Sequence, residues 1–343
     1  MTEQKKKVKA CKDTEYLFIS AYLRAKEPQL LNAEKAGRML GSSVQEAARI
    51  LESCGYADVL AVGLDKALSD RRAAVFSEVE ALAPKDGVVS LFRMRYDYHN
   101  AKTIVKAEAV GIDPAPLPVY RIVGEEGPAH MRTFFAEVEL CGAVTGRGEG
   151  SSKKHAEQQA ARDALSRSAD PQLADLILDR AYFAEYHEQA AQVGSAFLMG
   201  YAQLQADSAN LRAAVRARRM HKDAAFLKSV LVPGGSVPAE EICQVLAQDE
   251  PFAPLFANTA LFAAAQAGDE SQSGSLTAFE RLCDNTLTAY FAKAKSVVFG
   301  EQVVIAYLCA LENEISAARM IISGLQAGLP ADTIRARLRD LYQ

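Results

Sequence analysis

The residues of this chain best suited to chemistry lie in one stretch, GRGEGSSKKHAEQQAARDAL, positions 146–165, and the chemistry they suit is the binding of an anion. A Gly-rich turn leads into Ser152, Lys153 and Lys154, where an Ala-rich helical pattern begins. The start of a helix offers unpaired N–H groups and the positive end of the helix dipole, so two ammonium groups placed there favour a phosphate. Covalent chemistry finds no such foothold. The chain has no Gly-rich nucleotide loop ending in Lys-Ser/Thr, and no Ser/His/Asp or Cys/His roles can be assigned from sequence proximity.

The elements that would position this helix start are short and β-rich. PVYRIVGEEG (118–127) reads as a strand ending in a turn. RTFFAEVELCG (132–142) alternates, with Phe134, Ala136, Val138 and Leu140 on one face and Phe135, Glu137 and Glu139 on the other. AVTGRGEG (143–150) makes a third strand, and the helix after it has a face of Ala156, Ala160, Ala161, Ala164 and Leu165, small enough to lie flat on a sheet. A three-stranded antiparallel sheet with one helix is the expectation.

Around this cassette the chain reads as helix. It has 343 residues, 49% apolar and 24% charged, which suits a globular protein of two or three domains with a sizeable core. No apolar run approaches the roughly 18 residues that cross a bilayer. The start, MTEQKKKVKACKD, is basic with no apolar segment behind it, so a flexible basic tail over 1–13 is expected and a secretory signal is not. A cytoplasmic location follows as an expectation. Net charge is −4, so any polyanion site must be local. Cys11, Cys54, Cys141, Cys243, Cys283 and Cys309 lie far apart with no Cys-x-x-Cys, which favours buried free thiols over disulfides or a metal site, and no metal or cofactor is expected.

Helical spacing over 14–81 breaks at Gly55, and Ser43 before Glu46 suits an N-cap with a capping box. A further helix runs over 91–110 until Pro114, Pro116 and Pro118 end it. Pro171 suits the first turn of the next helix, and helical spacing then continues to 343, broken by PGGSVPAEE and AGDESQSGS. Within these helices one spacing recurs: Asp97, Asn100, Lys102; Asp207, Asn210, Arg212; Glu314, Ala317, Arg319, with Val105, Val215 and Ile322 at one further offset. The acidic members are 110 and then 107 residues apart although only the first interval holds the cassette, which therefore looks substituted for helices rather than added. The plainer reading of each triad is a hydrogen-bond or ion-pair cluster inside its own lobe. The stretch Arg216, Arg218, Arg219, Lys222 is either a solvated face near a helix C-terminus or a contact for acidic loops of a partner.

The helical segments EYLFISAYLRAKEPQLL (15–31), RYDYHNAKTIVKAEAVG (95–111), DPQLADLILDRAYFAEY (170–186), ADSANLRAAVRARRMHKD (206–223), LVPGGSVPAEEI (231–242), FERLCDNTLTAYF (279–291) and VVIAYLCALENEISAARMIISGLQAGLPADTIRARLRDLY (303–342) resemble the C-subunit family of the V/A-type rotary ATPase (ATP synthase), which includes the eukaryotic d-type stalk protein. The likeness covers 14–112 and 170–343 in order. It implies a mainly α, three-lobed protein with no active site that couples the central shaft to the membrane ring of proteolipid subunits. It also implies a place peripheral to the membrane through the ATPase complex, with Arg216, Arg218 and Arg219 as candidate contacts to those partners.

The cassette, 113–168, is similar to the C-terminal two-thirds of a double-stranded-RNA-binding domain: P-x-Y at Pro118, G-P-x-H at Gly127, F-x-x-x-V at Phe134 and G-x-G-x-S-K-K-x-A-E-Q-x-A-A at Gly148. The first helix of such a domain would be shared with the host over 103–110. By this likeness Ser152, Lys153 and Lys154 would reach phosphates, and Gly127, Pro128 and His130 would enter a minor groove of duplex RNA, in a footprint of about 16 base pairs. Between Pro118 and Ser168, however, seven basic residues meet seven acidic ones, whereas an RNA-binding domain normally carries a positive footprint. Two readings of the lysines stay open: RNA ligands, or an exposed helix start on a structural or protein-binding module. The expectation is a stalk subunit with an accessory RNA-binding module; the alternative is a duplex-RNA-binding protein on a borrowed helical scaffold.

Overall fold

The computed structural model describes residues 12–84, 87–110, 120–126, 133–140, 143–150, 171–271 and 275–342. The chain is mainly helical and divides into two compact units, Met1–Val89 with His187–Gln343, and Ser90–Tyr186.

The first unit begins with a 3-10 turn at Asp13–Tyr16, then α1 (Leu17–Lys26), α2 (Ala33–Leu40), α3 (Val44–Ser53), α4 (Val59–Val62) and α5 (Leu64–Leu82). The helix expected through 31 stops earlier, because Pro28 has no N–H to return to the preceding turn, and Glu27–Gln29 tighten into a 3-10 turn. Ser43 caps α3 as expected, its hydroxyl accepting from the Glu46 N–H at 3.2 Å, a bond worth about 1 kcal/mol. Gly55, at φ +88°, carries the chain out of α3 through the left-handed region.

α6 (Val88–Val110) and α7 (Pro171–Val193) cross the boundary between the units in sequence. The first unit then resumes with α8 (Ala196–Arg219), α9 (Ala224–Val230), α10 (Ala239–Ala247), α11 (Phe262–Glu270), α12 (Thr277–Ala292), a 3-10 turn at Lys293–Ser296, α13 (Glu301–Gln326) and α14 (Ala331–Arg335). α13 is its central pillar. Val303 to Leu311 are all buried, as a helix apolar on every side must be, and it packs against α1, α2, α3, α5 and α12. A separate cluster surrounds α8, where Leu211, Ala214 and Val215 meet Ile242, Phe252 and Phe279. Gly268 of α11 lets these helices close up, since a Cβ there would lie 2.7 Å from Val215 Cγ2. Cys54, Cys283 and Cys309 are buried free thiols, and burial pushes the Cys283 thiol up to about 11.

In the second unit α6 and α7 are joined by aromatic and polar contacts. The Tyr98 ring meets Tyr182 edge-on at 5.5 Å between centroids, and its hydroxyl donates to Glu185 at 2.9 Å. Lys102 pairs with Asp179. The unit also holds β1 (Tyr120–Glu126), β2 (Thr133–Leu140) and β3 (Ala143–Gly150), an antiparallel sheet in the order β1-β2-β3, as read from the alternation. The helix expected after β3 lies outside the described residues. No helix among the described residues is long and apolar enough to cross a membrane.

Candidate functional site

The expected anion site has its supporting strands in place. β2 pairs with β1 through Arg121↔Glu137 and Ile122↔Ala136, and with β3 through Glu137↔Arg147 and Phe135↔Glu149. Register thus sets Glu137 opposite Arg121 of β1 and Arg147 of β3. Irregularities fall between Ile122 and Gly124 and between Val138 and Glu139, each inserting an extra residue and re-aiming the strand beyond it. Arg147 and Glu149 are exposed, and Phe135 is half-buried. Gly127, Pro128, His130, Ser152, Lys153 and Lys154 lie outside the described residues, as do Cys11 and Cys141.

The arginines at the end of α8 are drawn into different roles. Arg218 belongs to its own unit. Its guanidinium lies 3.9 Å from the Phe252 ring centroid, pairs with Asp269 at 2.9 Å and donates to the Glu250 carbonyl. Asp269 also accepts from the N–H groups of Phe252 and Ala253, both at 2.8 Å, so the pair clamps the chain between α10 and α11. Arg216 is largely exposed and reaches Glu280 at 2.5 Å, a carboxylate it shares with Arg212 at 3.1 Å. Arg219 is half-buried. Sequence reasoning did not single out the acids that answer these arginines. Glu280 and Asp284, four apart on α12, carried the available signal, for such a pair shares one helix face.

The recurring triads become hydrogen-bonding centres in two of their three copies. On α8, the buried Asp207 accepts from the Ser236 hydroxyl at 2.6 Å and the Val237 N–H at 3.1 Å. Asn210 exchanges two bonds with Val232, donating to its carbonyl at 3.0 Å and accepting from its N–H at 2.8 Å. The loop Val232–Val237 is thereby tied to α8, and Gly235 lets it come close, since a Cβ there would lie 2.4 Å from Asp207 Oδ1. On α13, the buried Glu314 accepts from the Leu31 N–H and the Tyr56 hydroxyl, both at 2.6 Å, and Ala317 fills the place of the asparagine. Burial pushes both the Asp207 and the Glu314 carboxyls up, against the hydrogen bonds that draw them down. On α6 the arrangement differs. Asp97 is exposed and Asn100 half-buried, while Lys102 turns to Asp179.

The chain is thus mainly α, with a long buried central helix and two acid-centred copies of one helical motif that hold neighbouring loops. Residues 19–337 match the family model described as ATP synthase (C/AC39) subunit, and the chain belongs to that family. It is 23% identical over 349 residues to the C-type subunit of the V-type sodium ATPase of Enterococcus hirae, covering 96% of this chain and 99% of that protein. Short stretches are similar to a different protein, ribonuclease 3. The identity is 58% over 52 residues for that of Onion yellows phytoplasma and 61% over 46 residues for that of Enterococcus faecalis. These matches cover 15% and 13% of this chain, and the chain spans only 22% and 20% of the two ribonucleases.

Proposed function

We propose that this chain is a non-catalytic stalk subunit of a V-type ATPase, joining the central shaft to the membrane proteolipid ring. The observation that carries this reading is the family match over 19–337, together with an alignment to the enterococcal protein that spans nearly the whole of both chains. In this role the helices transmit torque. Arg216, largely exposed beside Glu280, and Arg219 are the residues of the α8 end that would meet acidic loops of a shaft or ring subunit, whereas Arg218 serves the interior contacts with Asp269 and Phe252. A pull-down of the chain, with and without nuclease, tests it. Shaft subunits of the ATPase should be recovered in both arms, and their absence from both would overturn the reading.

A second reading concerns residues 113–168. The ribonuclease 3 matches of 52 and 46 residues have the length of the cassette, and β1-β2-β3 is the sheet that its resemblance requires. We therefore propose an accessory duplex-RNA-binding module in which Ser152, Lys153, Lys154, Gly127, Pro128 and His130 meet the RNA, with the whole chain as an RNA-binding protein on a helical scaffold as the alternative. Lys153→Ala with Lys154→Ala should abolish submicromolar binding to duplex RNA. Two phosphate contacts predict a log–log salt slope that becomes shallower by about 2 in that variant. Unchanged binding by the double variant would remove the lysines from the site.

A further inference from the structure

We infer that Asp97 and Asn100 on α6 form a docking site for an extended, glycine-containing loop of another polypeptide. The ligand chemistry is set by the second copy of the motif, where the same two residue types at the same spacing hold the loop Val232–Val237. Asparagine there closes a two-way bond with one residue's N–H and C=O, and aspartate accepts from a hydroxyl and an N–H further along. A glycine sits where the loop passes the carboxylate, because a Cβ would collide with Asp207 Oδ1.

Among the described residues, α6 has the holder and not the held loop. Asp97 is exposed, and neither it nor Asn100 has a hydrogen-bond partner among those residues. Arg93, one turn earlier, is the charge beside Asp97. In the second copy the held residues Val232 and Val237 follow Asp207 by 25 and 30 positions. From Asp97 the 25th position is Ile122, in β1, where Ile122, Glu125 and Glu126 pair with Ala136, Phe134 and Thr133 of β2. The chain that the repeat would place on α6 is therefore spent in the sheet. An exposed Asp97 and a half-buried Asn100 are thus left without the loop their motif would hold, and α7 meets α6 through Tyr98 and Lys102. The partner that fits has two free N–H groups and a carbonyl in an extended segment, with glycine at the closest approach. A negatively charged segment would be turned away by Asp97.

The test uses the isotope-labelled full-length chain and, as probe, a capped, uncharged synthetic peptide of the sequence LVPGGSVPA, residues 231–239. Titration followed by amide chemical shifts should move the signals of residues 96–101, with a dissociation constant of about 1 mM. Asp97→Ala and Asn100→Ala, both at solvent-accessible positions and checked for unchanged melting, should each weaken binding about ten-fold, as should a peptide with alanine at the second glycine. Absence of shifts at 96–101 up to ten times that peptide concentration would overturn the inference. So would unchanged affinity in the Asp97 variant.

Discussion

Glu314, 1% exposed, joins the N-terminal part of the first unit to its central helix by accepting from Leu31 and Tyr56. Replacing it by alanine leaves a buried N–H and a buried hydroxyl without acceptors, so Glu314→Ala should lose about 3 kcal/mol of stability in urea unfolding, while Glu314→Gln, which can still accept from one and donate to the other, should stay within about 1 kcal/mol. The sign of the pH effect follows from burial, which raises this carboxyl above its ordinary 4.5. The native state then holds the proton more tightly than the unfolded chain. Its contribution to stability is complete below 4.5 and is lost as pH rises through the native value. Unfolding free energies of the parent should therefore decline across that window more steeply than those of Glu314→Gln. Equal slopes would mean that another group governs the decline.

At the scale of elements, α8 shows what a single chain of letters does and does not reveal. Its helical period, the break at PGGSVPAEE and the recurrence of Asp207, Asn210 and Arg212 were legible, because helix spacing and turn residues are local properties. The strands of the cassette were legible for the same reason, β1, β2 and β3 falling within 118–127, 132–142 and 143–150. What Asp207 and Glu314 hold was not, since Glu314 reaches Leu31 across 283 positions and Tyr56 across 258. No spacing rule spans such a gap. The basic end of α8 was likewise ambiguous until Asp269 and Phe252 were placed beside Arg218. That placement separates the arginines: Arg218→Ala should cost about 2 kcal/mol by losing a half-buried ion pair and a cation–π contact, whereas Arg216→Ala, at a largely exposed pair, should cost about 0.5 kcal/mol. Thermal or urea unfolding of the two variants checks the contrast. If Arg216→Ala with Arg219→Ala also lowers recovery of ATPase subunits without lowering stability, these two arginines act at a partner surface.

At the scale of the molecule, the two units differ in what holds them. The core cluster around α8 is drawn from residues between Leu204 and Cys283, and the helices packed on α13 all belong to the first unit. A chain in which residues 113–168 are replaced by a short Gly-Ser linker should thus keep its helical signal and unfold cooperatively, with the midpoint of the first unit within about 3 °C of the parent, since no buried side chain of that unit is removed. The decisive comparison is functional. If the shortened chain is recovered with the ATPase shaft subunits but no longer retains duplex RNA, the cassette is an accessory module on a working stalk subunit. If it folds with an unchanged midpoint yet fails to assemble, the second unit itself makes the contact that couples the chain to its partners, and the stalk reading must be rebuilt around residues 90–186.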